Sequence, residues 1–169
     1  MEVNLRLQVN KSDAINIIKW LRNENVTKFL NEDVHSSDVL EKMINNNEVD
    51  LLTFSLNRNG HFFLIDTFEE KCVGFISLFT IRKNKEYEVV IAVGDPSNWG
   101  KGIGKHALKK VLREVFIKMR IDKLVSKIHV ENSRSIELFE HLGFQSEQSV
   151  NKLRKYYMTL DTYLKSLRK

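Results

Sequence analysis

The sequence predicts a mixed α/β (α+β) domain with a largely antiparallel sheet. Three observations carry that expectation. A β-rich run occupies residues 61–94, where HFFLIDT, a turn at Phe68–Glu70, and KCVGFISLFT read as a hairpin, with EYEVVIAVG (86–94) as a further strand. The second half then alternates strand, helix, strand, helix, strand. Between the two halves lies SNWGKGIGKH (97–106), with glycines at 100, 102 and 104, which leads at once into a helical pattern.

In chain order, VNLRLQV (3–9) alternates as a strand does. Ser12 and Asp13 offer caps to AINIIKWLR, a helix whose buried face is expected to carry Ile15, Ile18, Trp20 and Leu21. Residues 23–35 are polar and irregular, residues 36–46 read as a second helix, and 49–57 is ambiguous between helix and strand. Within 101–119, Ile103, Ala107, Leu108, Val111, Leu112, Val115, Phe116 and Met119 form one apolar stripe. KLVSKIHV (123–130) is a strand, and SRSIELFEHLGF is a short helix stopped by Gly143 as its C′ residue. Two strands, near 144–149 and 153–160, precede a basic tail.

Composition narrows the function classes. With 169 residues, 42% of them hydrophobic, the chain suits one domain, 1–169, with a sizeable core, and no repeat or linker divides it. A single cysteine, Cys72, excludes an internal disulfide and suggests a reducing, cytoplasmic setting; it is expected to be packed. No secretory leader or membrane span is read in the sequence. Charge is divided unevenly: residues 1–70 hold seven Lys/Arg against twelve Asp/Glu, residues 71–169 twenty against ten. That suggests a basic surface for an anion and an acidic one for a cation, though solvated faces also drift in charge. No recognition motif supports nucleic acid as the partner. The histidines at 35, 61, 106, 129 and 141 share no metal-ligand spacing with one another or with Cys72, so no metal is expected. His129-Val130-Glu131 opens like a deaminase zinc motif, but no Pro-Cys-x-x-Cys follows.

Three phosphate-binding readings compete for the glycine segment. A P-loop needs four residues between its glycines and a hydroxyl after the lysine; Gly94 and Gly100 are separated by five, and Gly102 follows Lys101. A dinucleotide fingerprint needs a glycine at 105, which is lysine. The third reading fits: a strand ends, the chain turns through Gly100–Gly104, and a helix begins with unpaired amides and its dipole positive toward the loop. Such a site holds a pyrophosphate without cleaving it.

EVVIAVGDPSNWGKGIGKHALKKVL followed by HVENSRSIELFEHLGF resembles the GNAT superfamily of acetyl-CoA-dependent N-acetyltransferases. WGKGIG corresponds to that family's Q/R-x-x-G-x-G/A loop, with Trp99 in place of Gln/Arg, as in the branch of ribosomal-protein N-terminal acetyltransferases and some antibiotic and polyamine acetyltransferases. The resemblance implies a sheet of about six or seven strands flanked by about four helices, with acetyl-CoA as cosubstrate. It implies that Ala92, Val93 and Gly94 face pantetheine and thioester, with the Ala92 amide as donor to the acetyl carbonyl. Trp99, Gly100, Lys101, Gly102, Ile103, Gly104 and Lys105 would take the pyrophosphate. Asn132 would contact the cofactor arm, unless it only caps the next helix. Glu88 matches a strand glutamate that acts as base on the attacking amine. Phe139 stands where the family commonly has a tyrosine that protonates the thiolate, so it would pack on pantetheine and leave the acid to water, Ser135 or another group. The first two helices would form the acceptor site, with Phe29 as a wall and the acidic Glu24, Glu32, Asp33 and Asp38 drawing a cationic small molecule or a protein N-terminus. The rival classes are an acetyl-CoA-binding module without efficient transfer, which Phe139 keeps open, and a nucleic-acid-binding domain. Pairing of two copies through a sheet edge is left open.

Overall fold

The computed structural model describes residues 2–30, 35–82 and 85–168. Its seven strands form one sheet: β1 (Val3–Arg6), β2 (Gly60–Thr67), β3 (Gly74–Arg82), β4 (Glu86–Val93), β5 (Lys123–His129), β6 (Gln145–Val150) and β7 (Leu153–Thr159), in the order β1-β2-β3-β4-β5-β7-β6. Every neighbouring pair is antiparallel except β4 and β5, which are parallel. The mixed, mostly antiparallel sheet expected from the sequence is therefore present. Its seven described helices exceed the four expected, because several are short.

Two apolar clusters cover the two faces. One face carries α1 (Lys11–Leu21), α2 (Glu24–Thr27), α3 (His35–Asn45) and α4 (Leu52–Leu56), and its core includes Ile17, Trp20, Leu40, Phe62, Phe75 and Ala92. The other carries α5 (Ile103–Arg113), α6 (Ser133–His141) and α7 (Leu160–Ser166), and buries Val89, Leu108, Val111, Leu124, Phe139 and Tyr156. The stripe read from the sequence places Ile103, Ala107, Leu108, Val111 and Leu112 in the core. Beyond Arg113 the helix widens into a π turn over Glu114–Lys118, closed by Met119 N–H on the Glu114 carbonyl, and this keeps both Val115 and Phe116 buried.

Several local expectations need correction. The cap of α1 is Asn10, not Ser12 or Asp13: its side chain accepts from the Asp13 amide while Asp13 accepts from the Asn10 amide, a reciprocal capping box. That start turns Ile17 into the core and leaves Ile15 half exposed. The irregular stretch after residue 23 includes the four-residue helix α2, and the ambiguous 49–57 region is helical. The basic tail is the helix α7, capped by Thr159 and held by Tyr163 packing on Phe116 with ring centres 5.1 Å apart. Gly143 ends α6 as expected, at φ 90°, with the Phe144 amide on the Phe139 carbonyl and the Gly143 amide on that of Glu140. Cys72 is buried, and burial pushes its thiol pKa up to about 12.

Candidate active site

The site begins where two parallel strands part. β4 and β5 pair only from Glu86↔Lys123 to Glu88↔Val125. Beyond that point β4 stays with β3 as far as Val93, and β5 stays with β7 as far as His129. The gap between them opens a cavity of about 480 Å³, walled by Val90–Val93 on one side and Ser126–Ile128 on the other. The glycine loop and α6 close its far end.

Backbone direction in the gap follows from the ladder. The Gly94 amide donates to the Val73 carbonyl across β3, and antiparallel pairing alternates, so the Ala92 amide two residues earlier also faces β3. This corrects the expectation for Ala92: its N–H belongs to the ladder, and its side chain is buried under α1. The backbone groups of Ile91 and Val93 face the gap instead. Consistently, the Val93 carbonyl accepts the Trp99 indole N–H at 2.8 Å.

The loop after β4 is braced from within. Asp95 accepts the Ser97 amide, and that hydrogen bond holds its carboxyl below the usual carboxylate range. Gly100 and Gly102 take φ of 76° and 81°, a left-handed conformation that glycine adopts readily. Gly102 supplies no side-chain cap to α5, so the first-turn amides point at the cavity unclaimed by one. A Cβ on Gly100 would meet open space within 4 Å, whereas one on Gly104 would lie 3.4 Å from Leu138 on α6. The Gly102 carbonyl accepts both the His106 amide and His106 Nδ1, which fixes the proton on Nδ1. Together these features form an anion cradle: turned backbone, uncapped helix start and Lys105 at the rim.

These conformations separate two alanine substitutions. Gly102→Ala must hold a left-handed residue, at a cost of about 1–2 kcal/mol. Gly104→Ala keeps helical geometry, has ordinary van der Waals room, and gains helix propensity of up to about 1 kcal/mol. Thermal unfolding is expected to rank Gly102→Ala below the wild type and Gly104→Ala at or above it.

Of the residues singled out in the sequence, Phe29, Ala92, Val93, Trp99, Gly100, Gly102, Ile103, Gly104, Lys105, Asn132 and Phe139 all stand in the wall of this cavity. Asn132 does both things considered for it: Oδ1 caps α6 on the Ser135 amide at 3.2 Å, and the residue lines the cavity. Phe139 is buried, edge-on to Phe144 with centres 4.7 Å apart. Gly94 is outside the lining. Its close neighbour is the Trp20 ring, which a Cβ there would overlap, so its absence of side chain serves packing. Lys101 also lies outside, reaching back to Asn98 Oδ1 at 3.0 Å. Glu24 is an exposed first-turn acid of α2, in the wall of neither cavity described. Asp38 is exposed and pairs with Arg22, which also holds Glu41. Glu32 and Asp33 lie outside the described residues.

Glu88 belongs to a second cavity, of about 910 Å³, on the α1–α3 face of the sheet. Its walls include Ile17, Leu21, Leu40, Phe62, Val90 and Arg58. Val90 and Lys127 line both cavities, so the two meet at the parting of β4 and β5. There Lys127 Nζ donates to Glu88 Oε2 at 2.8 Å. Glu88 shares its face with Val90 and Ala92, as strand alternation requires.

Sequence reasoning missed Arg134 and Lys127. The Arg134 guanidinium lies 3.9 Å from the centre of the Trp99 ring, and both residues line the first cavity. The signal was available in a cation two residues after Asn132. Trp99→Ala removes the latch to Val93 and the platform for Arg134, and is expected to lower the unfolding free energy by about 1–2 kcal/mol. Thermal unfolding of the variant checks it.

A parted pair of strands, a glycine loop at a helix start without a side-chain cap, and two cavities that share Val90 and Lys127 make up the site. A family model described as acetyltransferase (GNAT) domain matches residues 3–145, and the chain belongs to that family. It is 31% identical over 119 residues to an uncharacterized SPbeta prophage-derived N-acetyltransferase, YokL, of Bacillus subtilis, covering 70% of this chain and 65% of that one. The chain thus spans about two thirds of that relative's length. It is 25% identical over 129 residues to spermidine N(1)-acetyltransferase of Vibrio cholerae, covering 74% and 69% of the two chains. In fold it is similar to the crystal structure of spermidine N-acetyltransferase from Vibrio cholerae in complex with CoA and spermine, with TM-score 0.76, 22% identity and coverage of 96% and 98%. It is also similar to a GNAT-family acetyltransferase from Bacillus anthracis, with TM-score 0.74, 17% identity and coverage of 95% and 96%.

Among the described residues no three His, Cys, Asp or Glu side chains gather as a metal cluster, and no helix is long and apolar enough to cross a membrane.

Proposed function

We propose that this chain is an N-acetyltransferase that moves an acetyl group from acetyl-CoA to a primary amine by direct attack in a ternary complex. The observation that carries this is the meeting of two cavities at Val90 and Lys127, one leading from the anion cradle and one holding Glu88. The cofactor's pyrophosphate binds at the uncapped start of α5, and pantetheine threads between β4 and β5. The amide N–H of Ile91 or Val93 is directed at the gap, where it stabilises the oxygen that gains charge when the amine adds to the thioester. Glu88 takes the proton that the ammonium must lose. Phe139 carries no proton, so the thiolate leaves near its own pKa, about 8.5 for a cysteine-like thiol, or takes its proton from water or Ser135.

Relatives named for spermidine acetylation support a cationic small-molecule amine as acceptor. Thiol release from acetyl-CoA in the presence of polyamines, aminoglycosides and short peptides tests the reading. Amine-dependent, saturable release is expected. Saturable acetyl-CoA binding without amine-dependent release across that panel would make the chain a binding module instead.

A further inference from the structure

Lys127 brings an amine of the chain itself to the place where an acceptor amine must react. Its side chain is half exposed, it borders both cavities, and its Nζ lies 2.8 Å from Glu88 Oε2. An ammonium within hydrogen-bond reach of a carboxylate has beside it the group that can take its proton. Lys127 stands on β5 two positions past Val125, the last residue paired with β4, so it lies at the mouth through which the thioester must be presented. Serines and lysines elsewhere in the first cavity lack this combination. Lys105 is drawn to His141 Nε2 at 2.7 Å, on the loop side, and Ser126 is buried beside Lys127, its neighbour on a strand whose side chains alternate between faces.

We propose that Lys127 is a built-in acceptor: its ammonium occupies the acceptor amine's place on Glu88, and without a free amine it is acetylated by the chain's own acetyl-CoA. This rests on the transferase reading above. In the step, the Lys127 ammonium loses one proton to Glu88, and its nitrogen adds to the thioester carbon. The carbon–sulfur bond then breaks as the amide forms. The departing thiolate takes one proton and one is released to solvent, so an ammonium and acetyl-CoA give an acetamide, CoA thiol and a proton. The product has no positive charge to pair with Glu88. Acetylation therefore frees the carboxylate from its ion pair and changes the site that later amines meet.

The test needs no identified acceptor. The full chain is incubated with acetyl-CoA alone, sampled over time, digested with trypsin and mapped by mass spectrometry, while calorimetry follows acetyl-CoA binding. The expected result is a peptide uncleaved and acetylated at Lys127, forming at least about ten times faster than acetylation of the remote, exposed Lys165, because the bound reactants are held together. Glu88→Gln should erase that advantage while acetyl-CoA still binds, and Lys127→Arg should give no modified residue at that position. Binding with Lys127 acetylated no faster than Lys165, or equally fast in Glu88→Gln, would overturn the proposal. Absence of acetyl-CoA binding would instead overturn the transferase reading.

Discussion

Arg6→Met is expected to lower the unfolding free energy by about 3 kcal/mol, the scale for removing one partner of a largely buried ion pair. Arg6 donates to two carboxylates at once, Asp13 at 2.7 Å and Asp66 at 2.8 Å, and tethers β1 to the first turn of α1 and to β2. Asp13 is almost wholly buried, and Asp66 also accepts the Cys72 amide at 2.8 Å. Without the guanidinium these two acids stay near each other in a poorly solvated place. Urea unfolding should show the midpoint falling at unchanged slope; a loss under about 0.5 kcal/mol, typical of a solvated surface pair, would show that the network contributes little.

The same network sets a pH dependence. Burial opposes ionisation of Asp13 and Asp66, but hydrogen bonds from Arg6, then from the Asn10 and Cys72 amides respectively, outweigh it and hold both carboxyls below the usual aspartate value of 3.8. Groups depressed on folding stabilise the protein fully above their unfolded pKa, and lose that contribution as pH falls through the folded one. Stability from this source is therefore intact at neutral pH and declines below about pH 4. In Arg6→Met the depression is relieved, so the decline should shrink, and it reverses if burial then lifts the carboxyls above their unfolded values.

How much of this was legible beforehand depends on the range of the forces involved. The glycine loop and α5 are local: Gly100, Gly102, the uncapped helix start and the apolar stripe sit in one continuous segment, and the sequence pattern predicts them directly. Glu88 on the face of Val90 and Ala92 also follows from strand alternation alone. The Ala92 amide, which the resemblance implies should face the thioester, turns to β3 instead, because backbone direction follows the hydrogen-bond register with β3, which the sequence does not display. Lys127 went unnoticed for a related reason. A lysine in a basic strand reads as solvated until the parallel register sets Val125 opposite Glu88 and the Lys127 side chain, two residues on, reaches that carboxylate at 2.8 Å. The α1 cap was shifted because Asn10, Ser12 and Asp13 all satisfy capping chemistry, and burial of Ile17 over Ile15 decides among them only in three dimensions.

Glu88→Gln is expected to cut kcat/KM for amine acetylation at neutral pH on the order of a hundredfold, the lower range for loss of a general base. The substitution is nearly isosteric. The glutamine carbonyl can still accept the Lys127 hydrogen bond seen at 2.8 Å, and most of the surrounding wall, including Val90 and Phe79, is undisturbed. What disappears is the capacity to hold a proton taken from an ammonium. Acetyl-CoA binding should be unchanged, because the cradle at Gly100–Lys105 lies at the other end of the first cavity. The pH profile discriminates further. If Glu88 is the base, an acidic limb in the wild-type pH profile should vanish in the variant, leaving only the dependence set by the amine. A variant that loses rate but keeps the limb would assign the base elsewhere and make Glu88 a partner that positions Lys127. Lys127→Arg separates the same two roles from the other side: it preserves the cation beside Glu88 while removing an acetylatable amine, so amine turnover that survives in Lys127→Arg but not in Glu88→Gln places the essential proton transfer on the carboxylate.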